Sequence, residues 1–182
     1  MTDPVLLLTG PPGSGKTTTA RLIATRAARG VHVEADSFFE FVRGGYIEPW
    51  RPESHSQNEI VMQAVAAAAA TYADGGYTTV VEGIINPRWF LAPLSSALAS
   101  RGHSVSYVIL RAPLHTCIAR ATARSDGQSS NADVINQIWH DFADVGPLET
   151  HVIDVDEMDA EQLATVVINR SRSETMRIQA PS

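Results

Sequence analysis

The chain has 182 residues, 44% of them hydrophobic, which is enough for one domain with a substantial core. A net charge of −6 disfavours nonspecific binding to long nucleic acids, and the single cysteine, Cys117, excludes an internal disulfide. The first residues carry no basic segment, and no run of about twenty apolar residues follows, so we expect no signal peptide and no membrane span. We therefore expect a cytoplasmic protein, with Cys117 as a small core residue.

The first predicted strand, Val5–Thr9, is a short apolar run of the kind found in buried parallel strands. The octet after it fits G-x-x-x-x-G-K-[ST], the phosphate-binding P-loop. Lys16 is the only lysine of the chain, and an ammonium is a compact charge that can follow the β- and γ-phosphates. The octet predicts a bound nucleoside triphosphate, and its residues are Gly10, Pro11, Pro12, Gly13, Ser14, Gly15, Lys16 and Thr17.

A helix is predicted at 17–29, ended by Gly30, so strand, glycine-rich loop and helix occur in the order that a P-loop requires. Backbone N–H groups of the loop and the positive end of the helix dipole would meet the phosphates. Thr17 would place its hydroxyl on Mg²⁺, and Thr18 belongs to the same nucleotide-binding set. The alternative is an ordinary glycine turn before a helix.

A second strand is predicted at 31–35 and ends at Asp36, and a third at 77–81 ends at Glu82. The segments between them are predicted as a short helix at 38–43, a loop at 46–52, and a long helix that begins at a capping box, 56–59, and ends before Gly75.

The second half continues the alternation of strands and helices. Asn86-Pro87 predicts the start of a helix that Gly102 ends. The remaining predicted segments are strands at 105–110 and 151–155, helices at 113–124, 133–142 and 160–169, a polar break at 125–130, and a frayed tail at about 171–182. Such alternation predicts a single three-layer α/β domain with a five-stranded parallel sheet and helices on both faces. Ligands then collect at the carboxyl ends of the strands, where Asp36 and Glu82 fall.

These features resemble the small P-loop kinases of the nucleotide-kinase-like superfamily, among them gluconate kinase, shikimate kinase and chloramphenicol phosphotransferase. The resemblance covers nearly the whole chain, from the P-loop to the late strand at 151–154. The string Asp36…Gly45-Tyr46-Ile47-Glu48-Pro49-Trp50…Ser54-His55-Ser56-Gln57-Asn58 is more similar still to uncharacterised bacterial AAA-type ATP-binding proteins of this group. The resemblance implies a P-loop NTPase fold with strand order 2-3-1-4-5, ATP with Mg²⁺ as donor, and a hydroxyl group as acceptor.

Asp36 is the predicted catalytic base beside Lys16, because a residue at the end of the second strand faces the γ-phosphate and related kinases have an aspartate there. Its alternative role is the N-cap of the short helix. Glu82 stands where such enzymes hold Mg²⁺ with a carboxylate, more often an aspartate, so it meets either the metal or the acceptor. The alternative is a solvated strand end. The predicted metal site is Thr17, Asp36 and Glu82.

Arg120 and Arg124 lie four residues apart and therefore share one helix face. In the related kinases, arginines at this point close over ATP. The resemblance implies that Arg120 lies near the adenine, that Arg124 reaches the transferring phosphoryl group, and that 120–131 is a lid. The alternative is a solvated helix face.

The acceptor is expected to bind in the two segments that follow strands two and three. Arginines there suit an anionic or polyhydroxylated acceptor. Trp50 and Trp89 could stack on a ring of the acceptor, but for Trp89 core packing is the favoured role. The predicted acceptor residues are Asp36, Arg43, Trp50, His55, Glu82 and Arg88, with Tyr46 and Arg51 beside them.

We predict an ATP- and Mg²⁺-dependent phosphotransferase acting on a small-molecule alcohol such as a sugar acid, a metabolite or an antibiotic. A nucleoside or nucleotide kinase and an ATP-binding regulatory protein are the open alternatives. No nucleic acid or membrane partner is expected, and the oligomeric state is not predicted.

Overall fold

Strands and helices alternate along the chain in the computed structural model, which describes residues 3–123, 131–155 and 158–178. The strands are β1 Val5–Thr9, β2 Gly30–Glu34, β3 Thr78–Glu82, β4 Val105–Arg111, β5 Val152–Asp154 and β6 Arg177–Ile178. The α-helices are α1 Lys16–Arg26, α2 His55–Asp74, α3 Leu91–Ala99, α4 Leu114–Thr122, α5 Ala132–Ala143 and α6 Ala160–Ser171.

The first five strands pair in parallel in the order β2-β3-β1-β4-β5, as the resemblance implied. In this register Glu82 lies opposite Leu8 on one side and opposite Glu34 on the other. Because the strands are parallel, their carboxyl ends share one edge of the sheet, where the loops after β1, β2, β3 and β4 meet. We call this the carboxyl edge.

The strands are buried on both faces, and two apolar clusters sandwich the sheet. One face packs on α2 and α3 through residues such as Leu7, Val65 and Leu94. The other packs on α1 and α6 through residues such as Leu8 and Leu163. Continuous apolar runs such as Val5–Thr9 result from burial of this kind. Within the described residues, no helix is long and apolar enough to cross a bilayer.

The C-terminal end differs from the prediction. A short 3₁₀ helix, Glu174–Met176, leads into β6, which pairs antiparallel with β4. Met176 is fully buried in the cluster that contains Leu163. The frayed tail predicted from about 171 is therefore wrong up to residue 178, because the apolar side chains of Met176 and Ile178 anchor an otherwise polar segment. Residues 179–182 lie outside the described part.

Two helix starts also differ. Helix α2 begins at His55, so the capping box predicted at 56–59 is wrong, and the side chains of Gln57 and Asn58 instead bond back to the backbone of the preceding loop. Helix α3 begins at Leu91, later than predicted, because the residues just before it form a turn.

Candidate functional site

The loop between β1 and α1 is packed so closely that two of its glycines have no substitute. A Cβ atom on Gly10 would lie 2.1 Å from the Leu110 carbonyl oxygen, and one on Gly13 would lie 2.3 Å from that of Cys117. Both glycines, like Gly15 at the N-cap of α1, have positive φ angles. The loop is thereby seated against β4 and α4, next to the free N–H groups with which α1 begins.

Polar side chains of this loop point to an anionic ligand. Lys16 is buried and donates from Nζ to the Pro11 carbonyl at 3.2 Å. The Ser14 hydroxyl is buried and has no hydrogen-bond partner among the described residues. A buried hydroxyl without a partner needs an explanation, and an absent ligand is a sufficient one. An ammonium, a spare hydroxyl and a helix N-terminus fit a triphosphate, and all eight loop residues predicted to bind it are brought together here, with Thr18 exposed on α1.

Glu82 ends β3 and is buried, with 2% of its surface exposed. Its Oε1 accepts a hydrogen bond from Thr17 Oγ1 at 3.1 Å and lies 3.4 Å from His32 Nε2. Burial raises the pKa of Glu82, but the neighbouring His32 and Thr17 side chains and the charge of Lys16 outweigh it and hold that pKa below its usual value. An anionic carboxylate beside a hydroxyl is a set of hard oxygen donors, which fits Mg²⁺.

Asp36 follows β2 at the carboxyl edge. Its Oδ1 accepts a hydrogen bond from the Ile84 N–H at 3.2 Å, and a Cβ atom on Gly83 would lie 3.0 Å from the same oxygen. Burial raises the pKa of Asp36 to about 6; the Lys16 ammonium lowers it and the Glu82 carboxylate raises it. Asp36 is exposed at the open edge, so water there opposes part of this effect.

The alternative role of Asp36 as a helix cap is wrong. The short 3₁₀ helix Asp36–Phe41 has Ala35 at its N-cap and no side-chain cap bond. The Asp36 side chain instead reaches across to the segment that follows β3. Asp36 and Glu82, the two carboxylates proposed for the site, therefore lie at the ends of neighbouring strands. A hydrogen bond from the Ile84 N–H to Asp36 joins those two ends.

The predicted acceptor residues lie around the carboxyl edge but do not converge on a single point. All six of Arg43, Tyr46, Trp50, Arg51, His55 and Arg88 are exposed. Arg51 Nε lies 2.9 Å from Glu48 Oε2, and His55 Nε2 lies 3.5 Å from Glu59 Oε1. These two side chains already have partners next to them in the sequence.

Trp89, expected in the core, is 66% exposed, so that prediction is wrong. The neighbouring Phe90 packs inward instead, against Phe39 with ring centroids 6.3 Å apart. A cavity of about 310 Å³ beside this turn is lined by Arg88 together with Asp141 and Asp144 from the end of α5 and the loop after it. Its charge is therefore mixed.

The predicted lid is only partly within the described residues. Arg120 lies on α4 and is exposed. Arg124 and the tip of the predicted lid lie outside the described part, so their roles stay predictions. Arg111, the last residue of β4, lies 3.0 Å from Asp154 and 3.1 Å from Glu149, and it joins β4 to β5.

The sequence from 5 to 145 matches AAA_33, a family described as an AAA domain. The match includes the P-loop, Asp36 and Glu82. This chain belongs to the AAA_33 family. A search of curated proteins finds no match.

Solved structures similar to this AAA_33 domain have the same fold. A sugar kinase from Janibacter sp. HTCC2649 is 21% identical, with a TM-score of 0.67 over 92% of this chain and 93% of that one. The tunicamycin resistance protein of Deinococcus radiodurans is 21% identical, with a TM-score of 0.71 over 99% of each chain. The Mycobacterium tuberculosis APS kinase, in complex with AMPPNP and APS, is 18% identical, with a TM-score of 0.70 over 95% of this chain and 100% of that one. At these identities the likeness establishes the fold alone, and it is the three-layer P-loop NTPase fold that the sequence predicted.

Three residues of the AAA_33 site had no role in the sequence analysis. His32 contacts Glu82 from the neighbouring strand. Thr9, at the end of β1, donates from Oγ1 to the Gly83 carbonyl at 3.0 Å and accepts from the Ile85 N–H at 2.9 Å. His32 and Thr9 are polar residues in otherwise apolar strands, and that pattern is the sequence signal that could have identified them.

Tyr107 completes this arrangement from β4. Its buried hydroxyl donates to the Ile85 carbonyl at 2.8 Å. Burial raises the pKa of Tyr107 well above its usual range, so the group stays a neutral donor. Together with Thr9 it fixes the segment that follows Glu82 and bonds Asp36.

Proposed function

We propose that this protein is an ATP- and Mg²⁺-dependent phosphotransferase that moves the γ-phosphoryl group to a hydroxyl of a small molecule. One observation carries the proposal. The two carboxylates near the P-loop lysine lie in different surroundings. Glu82 is buried and anionic, and Asp36 lies at the open edge with a pKa raised to about 6. Pairs of carboxyl groups with separated pKa values are a feature of sites that divide chemical roles between them.

The P-loop residues would bind the triphosphate. Amides at the start of α1 and the Lys16 ammonium supply positive charge, and the Ser14 hydroxyl gains the partner that it lacks. Thr17 and Glu82 would hold Mg²⁺, their mutual hydrogen bond opening to admit it. When bound, the metal would offset the charge of the phosphate oxygens.

Asp36 would act on the acceptor. It accepts the proton of the acceptor hydroxyl while that oxygen forms its bond to the γ-phosphorus. The bond from the γ-phosphorus to the bridging oxygen breaks, and ADP leaves with that electron pair. A base works best when its pKa lies near the working pH, and a pKa of about 6 meets that condition. Arg120, with Arg124 beyond it, would lie over the nucleotide.

One further fact supports a kinase over a regulatory ATPase. The similar structures include two that are named kinases, for a sugar and for APS. We propose a small-molecule partner, since a net charge of −6 does not suit a polynucleotide acceptor.

ATP consumption tests the proposal. The full-length protein is assayed with Mg²⁺-ATP over sugars, sugar acids, nucleosides and aminocyclitol or phenicol antibiotics, with water as the control acceptor. We expect one class of acceptor to stimulate turnover and Asp36→Asn to abolish that stimulation while nucleotide binding persists. Turnover that ignores both the acceptor and Asp36→Asn would identify a regulatory ATPase instead. Lys16→Ala should lose nucleotide binding under either function and serves as the background control.

A further inference from the structure

The cavity of about 310 Å³ lies between the turn that follows β3 and the end of α5, and it is lined by charged groups of both signs. Arg88 lines it from the turn, and Asp141 and Asp144 line it from α5 and the loop after it. None of these three side chains makes an ion pair within the described part of the chain. Two carboxylates share the cavity with one guanidinium, so it has an excess of negative charge.

Both aspartates are held by the fold through only one carboxylate oxygen. Asp141 Oδ2 accepts a hydrogen bond from Asn86 Nδ2 at 3.0 Å, and Asp144 Oδ1 accepts one from the Gly146 N–H at 2.9 Å. The other oxygen of each carboxylate accepts no hydrogen bond from the described residues. A carboxylate oxygen that lines a cavity and lacks a protein donor can accept a hydrogen bond from a ligand.

The wall of the cavity that carries the aspartates is anchored to the sheet. Arg111, at the end of β4, donates from Nη1 to the Ala143 carbonyl at 3.2 Å and to Glu149 Oε2 at 3.1 Å. Glu149 Oε1 in turn accepts from the Val145 N–H at 3.2 Å. Asp144 lies between these two anchored residues. A site that is fixed before binding loses little conformational entropy when a ligand arrives.

The cavity lies close to the proposed base along the segment that follows β3. The Ile84 N–H bonds Asp36, and Asn86, which bonds Asp141, is only two residues further on. Two residues of backbone span at most about 7 Å. The Asn86 N–H also bonds back to the Ile84 carbonyl at 3.0 Å, which shortens that span. One backbone turn and one asparagine side chain therefore separate the Asp36 carboxylate from the cavity, and a molecule of two or three sugar rings is long enough to reach both.

Resting on the proposed function, we propose that the acceptor is an amino sugar or aminocyclitol whose ammonium group binds Asp141 and Asp144 while one of its hydroxyls is phosphorylated through Asp36. An ammonium group carries three donors and no acceptor, which suits carboxylate oxygens that lack a donor. Arg88 donates to hydroxyl groups of the same molecule. A sugar acid would instead bring its own carboxylate to two others, and like charges repel.

The test uses two matched pairs of acceptors in the ATP-consumption assay with the full-length protein. Kanamycin is compared with kanamycin acetylated on all its amines, and glucosamine with glucose. Within each pair the rings are the same, and only the first member carries ammonium groups. We expect at least one amine to stimulate ATP consumption and to do so at a KM at least tenfold below that of its uncharged counterpart.

Two variants assign the effect to the cavity. Asp141→Asn and Asp144→Asn should each raise the KM for the amine about tenfold, with kcat changed less than twofold and the KM for ATP unchanged. The KM for the uncharged counterpart should not change. Asparagine keeps an acceptor oxygen for the bonds from Asn86 and Gly146, so the cavity wall is retained.

The matched control is Asp74→Asn. It removes the same charge from an exposed aspartate at the opposite edge of the sheet, where Asp74 pairs with His103. It should change neither constant. An equal rise in KM in Asp74→Asn would show that the amine is attracted by the net charge of −6 alone, which overturns the site.

Calorimetric titration of each acceptor onto the protein with Mg²⁺ and a nonhydrolysable ATP analogue separates this proposal from the proposed function. Turnover of glucose, gluconate or another amine-free acceptor in preference to both amines overturns the ammonium site and leaves the phosphotransferase standing, as does amine turnover that both cavity variants leave unchanged. Amines that bind through Asp141 and Asp144 while no acceptor turns over support the site and overturn the proposed function. Neither binding nor turnover with kanamycin and glucosamine overturns the ammonium site.

Discussion

His32 Nε2 lies 3.4 Å from Glu82 Oε1, the same carboxylate oxygen that accepts the Thr17 hydrogen bond. His32 comes from β2 and Glu82 from β3, and their side chains meet across the parallel pair. An aspartate at this position would be one methylene shorter. The longer glutamate can therefore touch the P-loop threonine and the neighbouring strand together. We infer that His32 positions Glu82 and does not itself touch the nucleotide.

This contact predicts a metal-dependent phenotype for His32→Leu. Without the imidazole, burial raises the pKa of Glu82 against one contact fewer, and the Glu82 oxygen is less well placed for Mg²⁺. We expect the half-saturating Mg²⁺ concentration for nucleotide binding to rise by about tenfold, with binding of metal-free ATP unchanged. Equilibrium binding of a fluorescent ATP analogue over a Mg²⁺ series measures both.

Two controls make the His32 test specific. His32→Gln keeps a donor in the strand and should recover most of the affinity. His103→Gln alters a histidine at the opposite edge, where Nε2 lies 3.0 Å from Asp74 Oδ1, and should leave the Mg²⁺ series unchanged. An equal loss of metal-free binding in His32→Leu would show that the variant damages the P-loop as a whole.

The pKa of Asp36 predicts how activity depends on pH. The base must be ionised to accept a proton, so acceptor-dependent kcat/KM should rise with pH and level off above about pH 6. Asp36→Asn should lower that rate by a factor on the order of 10²–10⁴ and remove the rise. Initial rates between pH 5 and 8 in a constant-ionic-strength buffer are the measurement. A profile of the same shape in Asp36→Asn would assign the titration to another group.

The same raised pKa has a consequence for stability. The pKa of the Asp36 carboxyl is ordinarily 3.8 and is about 6 in the folded protein, so between these two pH values the folded state binds more protons than the unfolded state. The Asp36 contribution to stability is present at low pH and is lost as pH rises from about 4 to 6. The melting temperature of Asp36→Asn relative to the unsubstituted protein should therefore increase over this interval. A constant difference from pH 4 to 8 would contradict the shift.

The sequence predicted the features that depend on local pattern. Motifs only a few residues long predicted the P-loop and the strand ends at Asp36 and Glu82. The resemblance that those motifs carry implied the strand order. The sequence did not reveal His32 because that contact depends on the register of β2 against β3, which no single strand encodes. Thr9 was missed for the same reason, as its partners are more than seventy residues away.

Two other predictions were wrong because residue type alone does not reveal which neighbours a side chain has in three dimensions. Tryptophan is usually buried in large part, which favours the core for Trp89, but the neighbouring Phe90 fills that place. The C-terminal segment is rich in serine and arginine and resembles a tail, although β4 has a free edge that β6 pairs with.

Met176 gives a direct test of that C-terminal segment. It is fully buried in the cluster between the sheet and α6. Met176→Ala should lower the free energy of unfolding by about 2–5 kcal/mol, because the cavity left behind cannot fully close. Urea denaturation followed by circular dichroism measures the change. The half-buried Ile178→Ala, two residues on, should cost less, and equal stability of all three proteins would show that the segment is not docked.

Thr9 tests whether the segment after β3 must be fixed for the site to work. Thr9→Val keeps the shape of the side chain and removes both hydrogen bonds to the Gly83 and Ile85 backbone, leaving two buried groups without a partner. We expect a loss of about 1–3 kcal/mol in unfolding free energy. A lower acceptor-dependent kcat should accompany it, because the Ile84 N–H that holds Asp36 lies between these two positions. Thr9→Ser retains the hydroxyl and should restore both quantities. Loss of stability in Thr9→Val with unchanged kcat would mean that Asp36 is positioned by its own strand alone.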